Sequence, residues 1–134
     1  MHGGWMLVFK LKAFARFQRR ERIGDAALLG AVETIESGLV DADLGGGLIK
    51  QRVARRGKGK RGGYRTVIAY RRGTRSVFLL GFAKSDRDNI GDEELDYLRD
   101  RAKALLNLNE AAVARLITDG DLMEVKDDEG NEDA

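Results

Sequence analysis

Gly62–Asp88 reads GGYRTVIAYRRGTRSVFLLGFAKSDRD, two strand-forming runs on either side of a tight connection. Tyr64–Arg71 and Arg75–Phe82 are rich in β-branched and aromatic residues. Arg72-Gly73-Thr74 places a glycine where a short hairpin connection calls for positive φ. Val77, Phe78, Leu79, Leu80 and Phe82 put apolar side chains on both faces of the second run. That pattern marks a central strand covered on each side. The hairpin is cationic at its open end: Arg61 and Arg65 enter it, Lys84 and Arg87 leave it.

Upstream, Leu48–Arg56 alternates, with Leu48, Lys50, Arg52 and Ala54 on one parity and Ile49, Gln51, Val53 and Arg55 on the other. This predicts a further strand, more exposed than the central pair. Gly57–Gly63 reads as a flexible basic loop. From Lys50 to Arg65 there are eight cations (Lys50, Arg52, Arg55, Arg56, Lys58, Lys60, Arg61, Arg65) and no acid. Self-repulsion in such a cluster opposes folding, so the cluster reads as a surface for a polyanion.

Leu39–Gly47 reads as a loop. Its Gly45-Gly46-Gly47 triplet lacks the Gly-Lys-Ser/Thr ending of a phosphate loop and is assigned to turning the chain. Asp41 and Asp43 read as solvated carboxylates. Trp5–Phe9 is the first expected strand. Phe14 and Phe17, with Arg16, Arg19, Arg20 and Arg22 around them, describe an amphipathic helix with a basic outer face. Gly24 breaks it, and Asp25 is expected to cap a second helix carrying Leu28, Leu29, Val32 and Ile35. The pair reads as a helical hairpin covering a sheet face.

Downstream, Asp92, Glu93 and Glu94 open a helix whose later cations, Arg99, Arg101 and Lys103, suit its dipole. Asn109 is expected to cap a last helix, and Leu122–Val125 to add a short edge strand.

At 134 residues the chain is read as one domain over residues 1–125. Residues 126–134 form an acidic tail expected to lack ordered structure. From Asp119 onward eight acids meet one base, −7 against a chain total of +2, which leaves +9 on residues 1–118. There is no cysteine, so disulfides and thiolate metal sites are excluded and a reducing, cytoplasmic setting is expected. No apolar run approaches the ~18 residues of a membrane span, and no secretory signal is read at Met1–Trp5. No cofactor, metal or membrane partner is expected.

His2 is the single histidine and stands at the terminus. With no cysteine and no serine elbow, what remains is a site of Arg, Lys and Tyr. Such a site can act on RNA without a metal: the 2′-hydroxyl attacks its own 3′-phosphate while cations stabilise the charge that builds on the phosphoryl oxygens. A Lys or Tyr whose pKa is depressed by neighbouring cations can move the proton. The same surface can also bind nucleic acid without cutting it.

The order strand, two helices, three strands, helix, with GGYRTVIAYRRG…SVFLLGFAKSDRDNI, resembles the RelE/ParE superfamily of toxin–antitoxin toxins. DADLGGGLIKQRVAR…GKGKRGGYR is similar to its HigB-like RelE branch. The resemblance covers about residues 5–125. It implies a microbial-ribonuclease-like α+β fold, an antiparallel or mixed sheet of four to five strands with an N-terminal helical hairpin and C-terminal helices. It also implies a ribosome-associated mRNA endonuclease neutralised by an antitoxin, in this branch a helix-turn-helix protein. On that resemblance Arg65 and Arg87 clamp phosphate, and Lys58 and Lys84 stabilise charge and move the proton. Arg56, Lys60, Arg61, Lys50, Arg52 and Tyr64 contact RNA. The chain departs from ribosome-dependent members in carrying Ser85 in place of a second Arg, and Asn89-Ile90-Gly91 in place of an aromatic, which leaves Tyr64 and Tyr70 as candidates to substitute for the family's general base. Two rival readings follow: a ParE-like inhibitor that binds DNA gyrase, and a nucleic-acid-binding module without toxicity.

Overall fold

The computed structural model describes residues 6–55, 59–83 and 89–126, with the side chains of residues 55 and 59–62 outside that description. In chain order the elements are β1 (Leu7–Leu11), α1 (Lys12–Glu21), α2 (Asp25–Glu36), β2 (Ala42–Gly45), β3 (Leu48–Arg55), β4 (Gly59–Arg71), β5 (Arg75–Ala83), α3 (Asp92–Leu106), α4 (Glu110–Asp119) and β6 (Leu122–Glu124). The strands form one mixed sheet in the order β2-β3-β4-β5-β1-β6. β1 runs parallel to β5, and every other pairing is antiparallel.

The apolar run on both faces of β5 is explained by helices on both sides of the sheet. Phe78 joins Phe14, Phe17, Leu28, Val32, Ile35, Val53, Tyr64 and Ile68 under α1 and α2. Val77, Leu79 and Phe82 join Leu48, Val67, Ala69, Leu98, Ala102, Leu105 and Leu106 under α3. Val67 pairs with Leu80 and Ile68 with Phe78, so a bulge at Leu79 breaks the alternation. Leu79 and Leu80 consequently both turn to the α3 side.

The helix ends show how side chains settle backbone groups. Asn109 caps α4 as the sequence predicts, its Oδ1 accepting from Ala112 N–H at 2.8 Å. Asp25 does not cap α2; Gly24 holds that position, with no side-chain cap bond. The Asp25 carboxylate is drawn instead to Lys10 Nζ (2.9 Å) and Gln18 Nε2 (2.7 Å), which tie β1, α1 and α2 together. At the carbonyl end of α3, Arg71 donates to Leu106 O and Arg75 to Leu105 O and Leu108 O. These guanidiniums satisfy orphan carbonyls and complement the helix dipole.

The sheet has one strand more than the upper expectation. Ala42–Gly45, read from sequence as loop, pairs with β3 through Ala42–Lys50 and Asp43–Ile49. The glycine triplet makes the connection, with φ of 87°, 65° and 86°, a left-handed run that side chains resist. β4 begins at Gly59, earlier than the expected Tyr64, so part of the predicted basic loop is strand. No helix among the described residues is long and apolar enough to cross a membrane. The acidic segment from residue 127 lies outside the described residues.

Candidate nucleic-acid interface

The register of β3 on β4 brings two of the predicted cations together. Arg52 pairs directly with Arg65, and Lys50 with Val67 two positions along. On the other side of β4, Arg65 pairs with Phe82. Directly opposed residues share a face with Cβ atoms ~4.5–5.5 Å apart. Lys50, Arg52 and Arg65 therefore stand on the same face as Val67 and Phe82, the α3 side. Arg52 is exposed, Lys50 and Arg65 are half-buried, and Phe82 lies buried beside Arg65 as an apolar floor.

Like charges directly opposite weaken a strand pair. Among the described residues neither Arg52 nor Arg65 has a carboxylate partner. Two arginines at directly opposed positions, without a carboxylate partner among the described residues, are a charge arrangement suited to a phosphate, which can accept from both.

Neighbouring polar groups hold β3 rather than compete for these cations. Asp41 Oδ2 accepts from the Arg52 backbone N–H at 2.7 Å. Gln51 is buried, accepts from Asp41 N–H and donates to Leu39 O. Asp43 Oδ1 accepts from Gly45 N–H at 2.9 Å. Both loop aspartates, expected to be merely solvated, thus serve the backbone. Among the described residues no group of three or more His, Cys, Asp or Glu could hold a metal ion.

Tyr64 is not on this surface. Strand alternation turns it to the opposite face, where it is 2% exposed and donates its hydroxyl to Glu21 Oε1 at 3.0 Å. It pins α1 to the sheet, which corrects its assignment as an RNA contact and as a candidate base. Tyr70 shares that opposite face, and its hydroxyl donates to Glu36 Oε2. Burial first, then the hydrogen bond to Glu36 and that carboxylate's charge, raise the Tyr70 pKa from 10.0 to about 12. A base needs the reverse shift.

The folded pKa of Tyr70 lies above the unfolded one, so the unfolded chain releases the proton first as pH rises. The stability tied to the neutral phenol is intact below pH 10 and is lost as pH climbs toward about 12. Tyr70→Phe is expected to flatten that stretch of a plot of unfolding free energy against pH. An unchanged slope would show that the Glu36 contact does not perturb the phenol.

Arg56, Lys58, Lys84 and Arg87 lie outside the described residues, as do the side chains of Lys60 and Arg61. β4 carries the backbone of Lys60 and Arg61 into the sheet. Ala83, the residue before Lys84, pairs with Tyr64, the residue before Arg65. Sequence reasoning missed the direct Arg52–Arg65 opposition, because register depends on how distant segments align. It also passed over Phe82, whose parity with Val67 and Val77 is masked by the bulge.

A search of curated proteins finds no match to the chain. The family model described as the RelE toxin of the RelE/RelB toxin–antitoxin system matches residues 6–125. That span contains the six strands and four helices of the described residues. Because the match runs through every element that builds the sheet and sets Arg52 against Arg65, the chain belongs to the RelE toxin family and is the toxin partner of an antitoxin.

Proposed function

We propose that this toxin is an endoribonuclease that cuts mRNA, on the ribosome, without a metal ion. The observation that carries the reading is the Arg52–Arg65 pair, without a carboxylate partner among the described residues, beside the buried Phe82. In the proposed reaction the 2′-hydroxyl oxygen attacks the adjacent phosphorus, forms the 2′,3′-cyclic phosphate and expels the 5′-oxygen. The proton leaving the 2′-hydroxyl is taken by the protein, and one is returned to the departing oxygen. Arg65 and Arg87 grip the non-bridging oxygens, where negative charge grows in the transition state. Lys58 and Lys84 stabilise that charge and move the protons. Lys50, Arg52, Arg56, Lys60 and Arg61 hold the flanking backbone, which is sequence-independent work.

The domain proposed for this activity is residues 1–125, with 126–134 an acidic appendage. The resemblance to the HigB-like branch makes a helix-turn-helix protein the proposed antitoxin. Mapping RNA 5′ ends after induction tests the activity. New 5′-hydroxyl ends within mRNA are expected within minutes of growth arrest. Growth arrest with DNA damage and no new ends would instead assign the toxin to gyrase inhibition.

A further inference from the structure

We propose that the outward face of α1 is a docking surface for the phosphate backbone of a folded RNA, separate from the Arg52–Arg65 face. α1 packs against β5 from the side that buries Phe14 and Phe17, whereas Arg52 and Arg65 stand on the α3 side. Lys12, Arg16, Arg19 and Arg20 recur at i, i+4, i+7 and i+8, and all four are exposed. At 3.6 residues per turn they form one stripe along the helix. Glu21 is the only acid in the segment, and its carboxylate serves Tyr64 and Arg20. Lys12, Arg16 and Arg19 have no carboxylate partner among the described residues.

Arg22, exposed just past the end of α1, supplies an independent sign. Its φ of 58° and ψ of 46° make it the one positive-φ residue other than glycine among the described residues. This helix-ending position favours glycine, because a Cβ is strained there. An arginine where glycine fits better carries a backbone cost that a use for its charge would offset.

The chemistry of the face favours nucleic acid over protein. Protein interfaces have apolar centres depleted in charge, whereas nucleic-acid interfaces are polar and strongly positive. Among the described residues the exposed large apolar ones are Leu7, Leu39, Val40, Tyr97 and Ile117, none of them on α1. Two cationic faces on opposite sides of one sheet would let the protein hold a structured RNA on one side and a strand to be cut on the other. The inference rests on the proposed function only for the choice of RNA over DNA.

The test uses the full chain and a 2′-O-methylated RNA hairpin, which cannot be cleaved by 2′-attack. Lys12→Ala/Arg16→Ala/Arg19→Ala keeps good helix formers at exposed sites. Its hairpin Kd is expected to rise about tenfold or more near 0.1 M salt, and the log–log salt slope to fall by about 2–3. Cleavage of a short single strand should persist. Because the hairpin is no substrate, this result stands apart from whether the toxin cuts RNA. Arg22→Gly is expected to raise Tm by ~2–5 °C and weaken hairpin binding about threefold. A role confined to structure would not join greater stability to weaker binding. Unchanged hairpin affinity in either variant overturns the proposal. So does a triple variant that loses binding to polyglutamate but not to the hairpin, which would give the face to an acidic polypeptide.

Discussion

Arg65→Ala is expected to relieve growth arrest and to lower the rate of RNA cleavage by about 10²–10³-fold, the usual loss when one preorganised donor to a developing oxyanion is removed. The variant should remain folded. Arg65 faces Arg52 across the β3–β4 ladder with no carboxylate partner among the described residues. Removing it lifts a like-charge opposition that costs the sheet ~0.2–1 kcal/mol, so stability should hold or rise slightly. Arg65→Lys keeps the charge but loses the planar fork, and should fall between wild type and alanine. Arg52→Ala should act mainly on KM, since Arg52 is assigned to the flanking backbone. The measurements are growth after induction, single-turnover cleavage and thermal unfolding. A folded Arg65→Ala protein that stays fully toxic would sink the site assignment, whatever the register of the strands.

The parts legible in the sequence were those set by short-range chemistry. Gly73 between two β-forming runs marked the β4–β5 hairpin, and the acids of Asp92–Glu94 followed by later cations marked α3. Asn109 marked its cap because an N-cap depends on three neighbouring residues. β2 was not legible: in Ala42–Gly45 the half-buried Ala42 and Leu44 alternate with the exposed Asp43 and Gly45, a period too short to set it apart from a loop, and it is a strand because β3 lies beside it. Asp25 was misassigned because a long-range competitor, Lys10, wins its carboxylate. At the site, alternation alone would have separated Tyr64 from Arg65, neighbours that must face opposite ways in a strand. The pairing of Arg52 with Arg65 needed a register, and the shift between Val53 and Arg55 shows that a constant offset would not have continued to the end of the hairpin.

Gly81→Ala is expected to destabilise the fold by about 3 kcal/mol, the upper range for forcing an extra methyl into a packed core. A Cβ at Gly81 would stand 2.4 Å from Phe17 Cε2, 2.6 Å from Phe17 Cδ2 and 3.0 Å from Phe14 Cε1. Neither ring can step aside. Phe14 is 1% exposed and packs on Phe78 at 5.1 Å, while Phe17 meets Tyr64 edge-on at 5.6 Å and 88°. The relief left to the protein is to lift α1 from β5, which pulls on the Tyr64–Glu21 hydrogen bond and on the strand that carries Arg65. Tm should fall by ~10 °C, and toxicity should fall with it. This loss differs in kind from that of Arg65→Ala, where activity goes and stability stays. Phe17→Leu opens room over Gly81, so the double variant should be less destabilised than the two single losses combined, by ~1 kcal/mol or more. Strict additivity in denaturant unfolding would mean that the ring of Phe17 is not what forbids a side chain at position 81, and that α1 is seated on the sheet by other contacts.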